Sequence, residues 1–149
     1  MKFASHRIAV IADTHGRLPL HLIDKIRDAD EIWHLGDFCN LDTLSACRAI
    51  GRPFLAVLGN NDYGLDLPET LELERAGKWF HLVHIPPRRM PTCDVLLHGH
   101  THVPRDEKVG CCRVLNPGTV GKPDKGAPPS WGWLEIGVRG RVRWKVNPL

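Results

Sequence analysis

Short apolar runs along this chain end repeatedly in a polar turn, and the turn falls each time on Gly, Asp, Asn or His. Arg7-Ile8-Ala9-Val10-Ile11-Ala12 breaks into Asp13-Thr14-His15-Gly16, Glu31-Ile32-Trp33-His34-Leu35 into Gly36-Asp37, and Phe54-Leu55-Ala56-Val57-Leu58 into Gly59-Asn60-Asn61-Asp62. Runs of this length bounded by turn formers predict buried strands. Trp79 to Val83 and Asp94 to Leu97 predict two more, delivering His84 and the segment His98-Gly99-His100-Thr101-His102. Between the first three runs the period changes. Leu22, Ile23 and Ile26 form one stripe of a helix over Pro19 to Ala29, and Leu44, Cys47 and Ala46 or Ile50 one stripe of a second over Asp42 to Ile50. A β-α-β-α-β opening therefore passes, from Glu69 onward, into a mainly antiparallel half.

The C-terminal hairpin carries its own register. Leu134, Ile136 and Val138 alternate on one strand, and Val142, Trp144 and Val146 on the next. A two-residue turn at Arg139-Gly140 would set Ile136 against Arg143, mixing apolar and basic residues on one face. A three-residue loop, Val138-Arg139-Gly140 with Gly140 left-handed, sets Ile136 against Val142 and Leu134 against Trp144, and leaves Arg141, Arg143 and Lys145 as a solvated stripe. The second register is expected.

Composition bounds the rest. At 149 residues, 42% of them hydrophobic, the chain is expected to form one domain, 1–149, that buries roughly 70% of its unfolded surface. A net charge of +3 with acidic residues interspersed gives no reason to expect a nucleic-acid partner. Residues 1 to 12 hold too short an apolar stretch for a signal peptide, and no run reaches membrane-helix length, so a cytoplasmic protein without a membrane partner is expected. Five cysteines in that setting are expected as free thiols, and no CxxC pair points to metal. Cys39, two residues past Asp37, could line the cleft, and packing is the preferred reading. Cys111 and Cys112 should face opposite sides of a strand. Gly121 to Pro129 reads as a loop.

The strand ends carry the chemistry. In open α/β sheets, ligands gather beyond the carboxyl ends of strands, and here those ends hold Asp13, His15, Asp37, Asn60, His84, His100 and His102. Taken singly, Asp-Thr-His-Gly, Gly-Asp and Gly-Asn-Asn-Asp are ordinary turns, and a lone His84 is a core or rim histidine. In Gly-His-Thr-His, alternate side chains of an extended segment would point the same way and serve neighbouring metals. All five blocks in order, each after an apolar run, point to a metal site.

These blocks resemble those of the calcineurin-like metallophosphoesterases, Asp-x-His, Gly-Asp, Gly-Asn, His and Gly-His-x-His, over nearly the whole length. The layout is similar to the small prokaryotic phosphodiesterases and to the phosphodiesterase-like subunit of the retromer coat, which share a Gly-Asn-x-Asp block and a late Asn-Pro-Gly-Ser/Thr, here Asn116-Pro117-Gly118-Thr119. The resemblance implies an α/β fold, a four-layer αββα sandwich. It implies one ion held by Asp13, His15, Asp37 and His102 and another by Asp37, Asn60, His84 and His100, with Asp37 bridging. Two divalent cations about 3.5 to 4 Å apart can share a hydroxide and clamp a phosphoryl group during in-line displacement. Imidazole, carboxylate and amide donors suit manganese, iron, cobalt, nickel or zinc without choosing among them; manganese is the expected ion, with nickel, iron, cobalt or zinc as alternatives.

The expected activity is hydrolysis of a small phosphate ester, with Asp37, Asn60, Asp62 and His100 as the catalytic set. A non-catalytic scaffold on the same fold is the alternative, and the chain could act as monomer or homodimer. Larger relatives carry Gly-Asn-His-Glu, whose His protonates the leaving group; Asn61 and Asp62 stand there instead, with Asp62 expected to orient His15 or a water rather than give a proton. His84 is followed by Ile85-Pro86-Pro87 where relatives have Gly, which could tighten the site or displace the histidine. Arg88 and Arg89 in the same loop are either phosphate contacts or solvated charges. His6, His21, His34, His81 and His98 are left outside the metal set; His98, alternating with His100, could support a ligand from behind, and the rim is its preferred place.

Overall fold

In the computed structural model, which describes residues 5–123 and 125–149, the first apolar run forms β1 (His6–Ile11), buried on both faces over most of its length. Both faces are apolar because β1 lies in the middle of a five-stranded sheet with a layer packed on each side. Helix α1 (Leu20–Ile26) leads to β2 (Glu31–His34), and α2 (Leu41–Arg48) to β3 (Phe54–Ala56). The three strands run parallel, with Ile8 opposite Glu31 and Ile32 opposite Phe54. Both helices are shorter than their apolar stripes predict. The α2 start is fixed by Asn40, whose side chain accepts the Thr43 N–H at 2.8 Å.

The remaining strands are β4 (Thr70–Arg75), β5 (Lys78–Val83), β6 (Val95–Leu97), β7 (Arg105–Val109), β8 (Cys112–Asn116), β9 (Ser130–Ile136) and β10 (Val142–Pro148). The first sheet has the order β10-β9-β1-β2-β3 and the second β4-β5-β6-β8-β7. Of the six pairings made by strands after Glu69, four are antiparallel. The other two, β5 with β6 and β6 with β8, are parallel without a crossover helix, so the second sheet is mixed.

The sheets meet face to face over Ile8, Val10, Trp33, Leu82, Leu97 and Leu134, with Trp33 edge-on to Phe80 at 5.6 Å between centroids. Burying one such aliphatic side chain stabilises by roughly 1.5–3 kcal/mol. Leu22 and Ile26 of α1 and Leu44 and Cys47 of α2 cover the outer face of the first sheet. On the outer face of the second, Met90 and Cys93, from the segment between β5 and β6, lie over Leu96, Cys112 and Val114. The protein thus has the αββα sandwich fold with its fourth layer reduced, among the described residues, to a stretch of loop.

At the hairpin, Val142 pairs Ile136 and Trp144 pairs Leu134, the three-residue-loop register. Gly140 is left-handed as expected, and so is Arg139. Arg141, Arg143 and Lys145 are exposed. Among the described residues no helix is long and apolar enough to cross a membrane. The first four residues of the N-terminal stretch, and Asp124 of the Gly121–Pro129 loop, lie outside the described residues.

Candidate metal centre

The parallel strands of both sheets, β1, β2 and β3 in one and β5, β6 and β8 in the other, end at the same edge, and main-chain bonds lock their loops together. Asp13 N–H donates to Gly36 O, His15 N–H to Asp37 O, Gly99 N–H to His84 O and Gly121 N–H to Asp13 O. The predicted residues thereby meet in two groups, each able to hold a divalent ion. Asp13, His15 and His102 form one; Asp13, Asp37 and His84 form the other.

In the first group, His15 Nε2 lies 3.1 Å from His102 Nε2 and 3.8 Å from Asp13 Oδ1, and His102 Nε2 lies 3.4 Å from Asp13 Oδ1. Donors about 2.1 Å from a common ion stand roughly 3.0 to 3.4 Å apart in octahedral or tetrahedral geometry. The spacing fits an ion. Asp13 Oδ1 is also buried without any hydrogen-bond partner, an arrangement that is costly unless a cation fills it. In the second group, His84 Nε2 lies 3.4 Å from Asp37 Oδ1 and 2.9 Å from Asn60 Oδ1, and His100 Nδ1 lies 3.2 Å from that same oxygen. Asp37 reaches both sides, since its Oδ2 is 3.8 Å from His15 Nε2. All seven predicted donors converge at this edge.

The Pro-Pro segment does not displace His84. Its ring is buried, and Nδ1 donates to Leu35 O at 2.7 Å, which turns Nε2 toward the carboxylates. Gly36 makes the approach possible: a β-carbon there would come within 2.8 Å of the His84 Nδ1, and the residue is left-handed. Arg88 and Arg89 are exposed and make no hydrogen bond or ion pair with a described residue.

The loops are bent in a way the sequence did not reveal. Asp13, His15, Asp37, His100 and His102 all have positive φ, between 49° and 70°. Left-handed backbone costs an L-residue roughly 1–2 kcal/mol, so five such residues gather backbone strain at one place, as loops that hold ligands commonly do. The Gly-His-Thr-His segment is therefore not extended. Its two imidazoles part, His102 toward His15 and His100 toward Asn60.

The two carboxyls are set apart electrostatically. Burial raises the Asp13 pKa to about 6, against the pull of His84 and His102. Burial acts on Asp37 as well, but hydrogen bonds from His84 and from the Asn61 side chain and amide outweigh it and hold that carboxyl far below the usual range. His84 is raised in spite of its own burial, chiefly by Asp37.

Three assignments need correcting. Asp62 does not reach His15: its Oδ2 accepts the N–H groups of Asp37 and Gly59 at 2.9 and 2.7 Å, and its Oδ1 that of Cys39 at 2.9 Å. It clasps two ligand-bearing turns. Cys39 is exposed rather than packed, with Sγ 3.4 Å from His15 Nδ1, because its left-handed backbone turns it toward the site mouth. His98 is fully buried, not at the rim; Nδ1 donates to Gly99 O, Nε2 accepts from Arg105, and burial lowers its pKa to about 4.

Two residues support the site in roles the sequence does not give: His34, and Asn116 of the Asn116-Pro117-Gly118-Thr119 block. His34 stacks on Phe38 at 3.6 Å, accepts the Gly36 N–H on Nδ1 and reaches Thr14 Oγ1 through Nε2. Asn116, buried, ties the His98–His102 loop by donating to Gly99 O and Thr101 Oγ1. His34 inside an apolar strand was the available signal for the first.

Two facing sheets thus bring nitrogen and oxygen donors together at one edge, in groups that could hold metal ions. Residues 7–138 match the calcineurin-like phosphoesterase superfamily domain, and the chain belongs to that superfamily. A probable metallophosphoesterase of Methanothermobacter thermautotrophicus is 31% identical over 131 residues, 75% of this chain and 76% of that protein. Among solved structures, an archaeal phosphodiesterase is 23% identical over 95% of this chain and 99% of its own, with a TM-score of 0.74. Vacuolar protein sorting 29 from Cryptosporidium parvum is 20% identical over 99% of each chain, with a TM-score of 0.77.

Proposed function

We propose that this protein is a phosphodiesterase that hydrolyses small organic phosphate esters at a dinuclear centre. Asp13, His15, Asp37 and His102 would hold one ion, and Asp37, Asn60, His84 and His100 the other. The observation behind this is Asp13 Oδ1, buried without a hydrogen-bond partner where two imidazole-carboxylate groups meet. Bound ions supply an activated nucleophile and stabilise charge on the phosphoryl oxygens. The protein's part is positioning: Leu35 O sets the His84 ring, Asn61 fixes both Asp37 oxygens, and Asp62 joins the Asp37 and Gly59 turns. Neither donor group contains a thiol, which disfavours a sulfur-selective ion; manganese is the proposed ion, and nickel, iron, cobalt or zinc suit the same nitrogen and oxygen donors.

The scaffold alternative has the likeness to vacuolar protein sorting 29 in its favour. The complete donor set weighs against it, because two close buried carboxyls repel each other without a cation. The test is reconstitution of chelator-stripped protein with each metal, followed by metal analysis and assay with bis(p-nitrophenyl) phosphate. Two ions per chain and metal-dependent hydrolysis are expected. Tight binding of two ions without hydrolysis of any ester would establish the scaffold.

A further inference from the structure

Two hollows leave the donor groups on different sides, and they differ in charge. One, about 380 Å³, opens beside His15 and is lined by Arg17, His21 and Lys122 together with Val120 and Gly121; among the described residues its lining holds no carboxylate. The other, about 260 Å³, opens beside Asn60 and His84 and is lined by Leu58, Val83, Ile85 and Glu69; it contains no cation. No residue lines both. Arg17 and Lys122 are exposed, and their charged groups make no hydrogen bond or ion pair with a described residue. Among the described residues nothing pairs with these two charges, and both face solvent.

A phosphodiester held at the centre has two ester arms to place, and these two hollows are where they can go. From this we infer that the substrate is an unsymmetrical phosphodiester, one arm of which carries a second anion held by Arg17 and Lys122, while the other is uncharged or cationic and lies over Val83 and Ile85 toward Glu69. The inference rests on the phosphodiesterase reading and sharpens it to a substrate class. The guanidinium suits a planar or tetrahedral oxyanion through paired N–H bonds, and the ammonium adds a point charge. A cleft lined by one sign of charge also concentrates ligands of the other sign, an effect that falls with ionic strength. The aliphatic and acidic lining of the second hollow would repel a further anion, so the two arms are not interchangeable.

The test uses metal-loaded full-length protein and three p-nitrophenyl phosphodiesters whose second arm is propyl, 3-carboxypropyl or 3-phosphonooxypropyl. At low salt the anionic arms are expected to raise kcat/KM about tenfold over propyl. The ratio should approach one in R17Q/K122Q and in 0.5 M salt. The carboxylate and phosphate arms separate a general anion site from a phosphate site. Equal rates for all three arms, or a preference that survives in R17Q/K122Q, would overturn the assignment. Calorimetry with the corresponding non-hydrolysable phosphonate monoesters on zinc-loaded protein gives a readout independent of turnover. Tighter binding of the anionic arms, lost in R17Q/K122Q, supports the hollow even if no ester is cleaved, and the phosphodiesterase reading alone then fails. Equal binding of all arms refutes the hollow whatever the rates.

Discussion

Gly59 lies against Asp37 so closely that a β-carbon at position 59 would overlap the Asp37 amide nitrogen and Oδ1 and stand 2.9 Å from its α-carbon. The turn after β3 thus presses bare backbone onto the residue proposed to bridge the ions. Gly59→Ala should push Asp37 out of place, because the opposing atoms are main chain and carboxylate rather than a flexible tip. Metal affinity is expected to fall by about 10- to 100-fold, as for loss of a ligand's support, with hydrolysis falling at least as far. Metal titration and assay check it; an unchanged affinity would mean that the turn can move aside.

Asp13 should show the opposite sign in stability and in function. Its carboxyl is buried, with Oδ1 unpartnered and a pKa raised by burial. Asp13→Asn keeps an acceptor for the His100 N–H, which now bonds Oδ2 at 3.1 Å, while removing charge. In chelator-stripped protein the variant is expected to be more stable by about 1–3 kcal/mol, and on adding metal it should gain little. Denaturant unfolding with and without metal decides this, and a destabilised metal-free variant would count against it.

The leaving group should set the rate. Asn61 donates to Asp37, and the Asp62 carboxylate is engaged by three backbone N–H groups, so neither protonates a departing oxygen. Hydrolysis is expected to depend steeply on leaving-group pKa, with aryl diesters cleaved much faster than alkyl ones. A series of substituted phenyl diesters at saturating metal measures the slope. If chemistry limits the rate, a flat line would reveal a proton donor elsewhere in the site.

At the opposite end of the first sheet, Glu31 is buried and accepts from Arg75 Nε at 3.0 Å and Nη2 at 2.7 Å, and lies 2.7 Å from His6 Nε2. Burial raises its pKa, but Arg75 and His6 outweigh burial and hold it below the ordinary 4.5. A carboxyl depressed on folding contributes stability that is fully present above its unfolded pKa and lost as pH falls through its folded one. Glu31→Gln is therefore expected to cost about 2 kcal/mol at pH 7, with the gap from wild type closing below about pH 4. Urea midpoints from pH 3 to 7 measure it; a constant gap would contradict the sign.

Much of the site was legible in the sequence because strand and turn are local codes. A run such as Arg7 to Ala12 can only be buried, Asp13 and Gly36 can only follow as turns, and the hairpin register came from matching Leu134 and Ile136 to Trp144 and Val142. What tertiary structure decided were the relations between separate turns. The Asp62 oxygens are spent on Asp37, Gly59 and Cys39 because two loops from different strands meet there, and nothing within Asn60-Asn61-Asp62 announces that meeting. The left-handed backbone of His100 and His102, the exposure of Cys39 and the burial of His98 likewise follow from packing between loops. Neither the parallel pairing of β5, β6 and β8 nor the loop that covers them was readable, since strand direction and outer cover depend on contacts far apart along the chain. Local pattern placed the donors at strand ends; long-range contact alone set which atoms face each other.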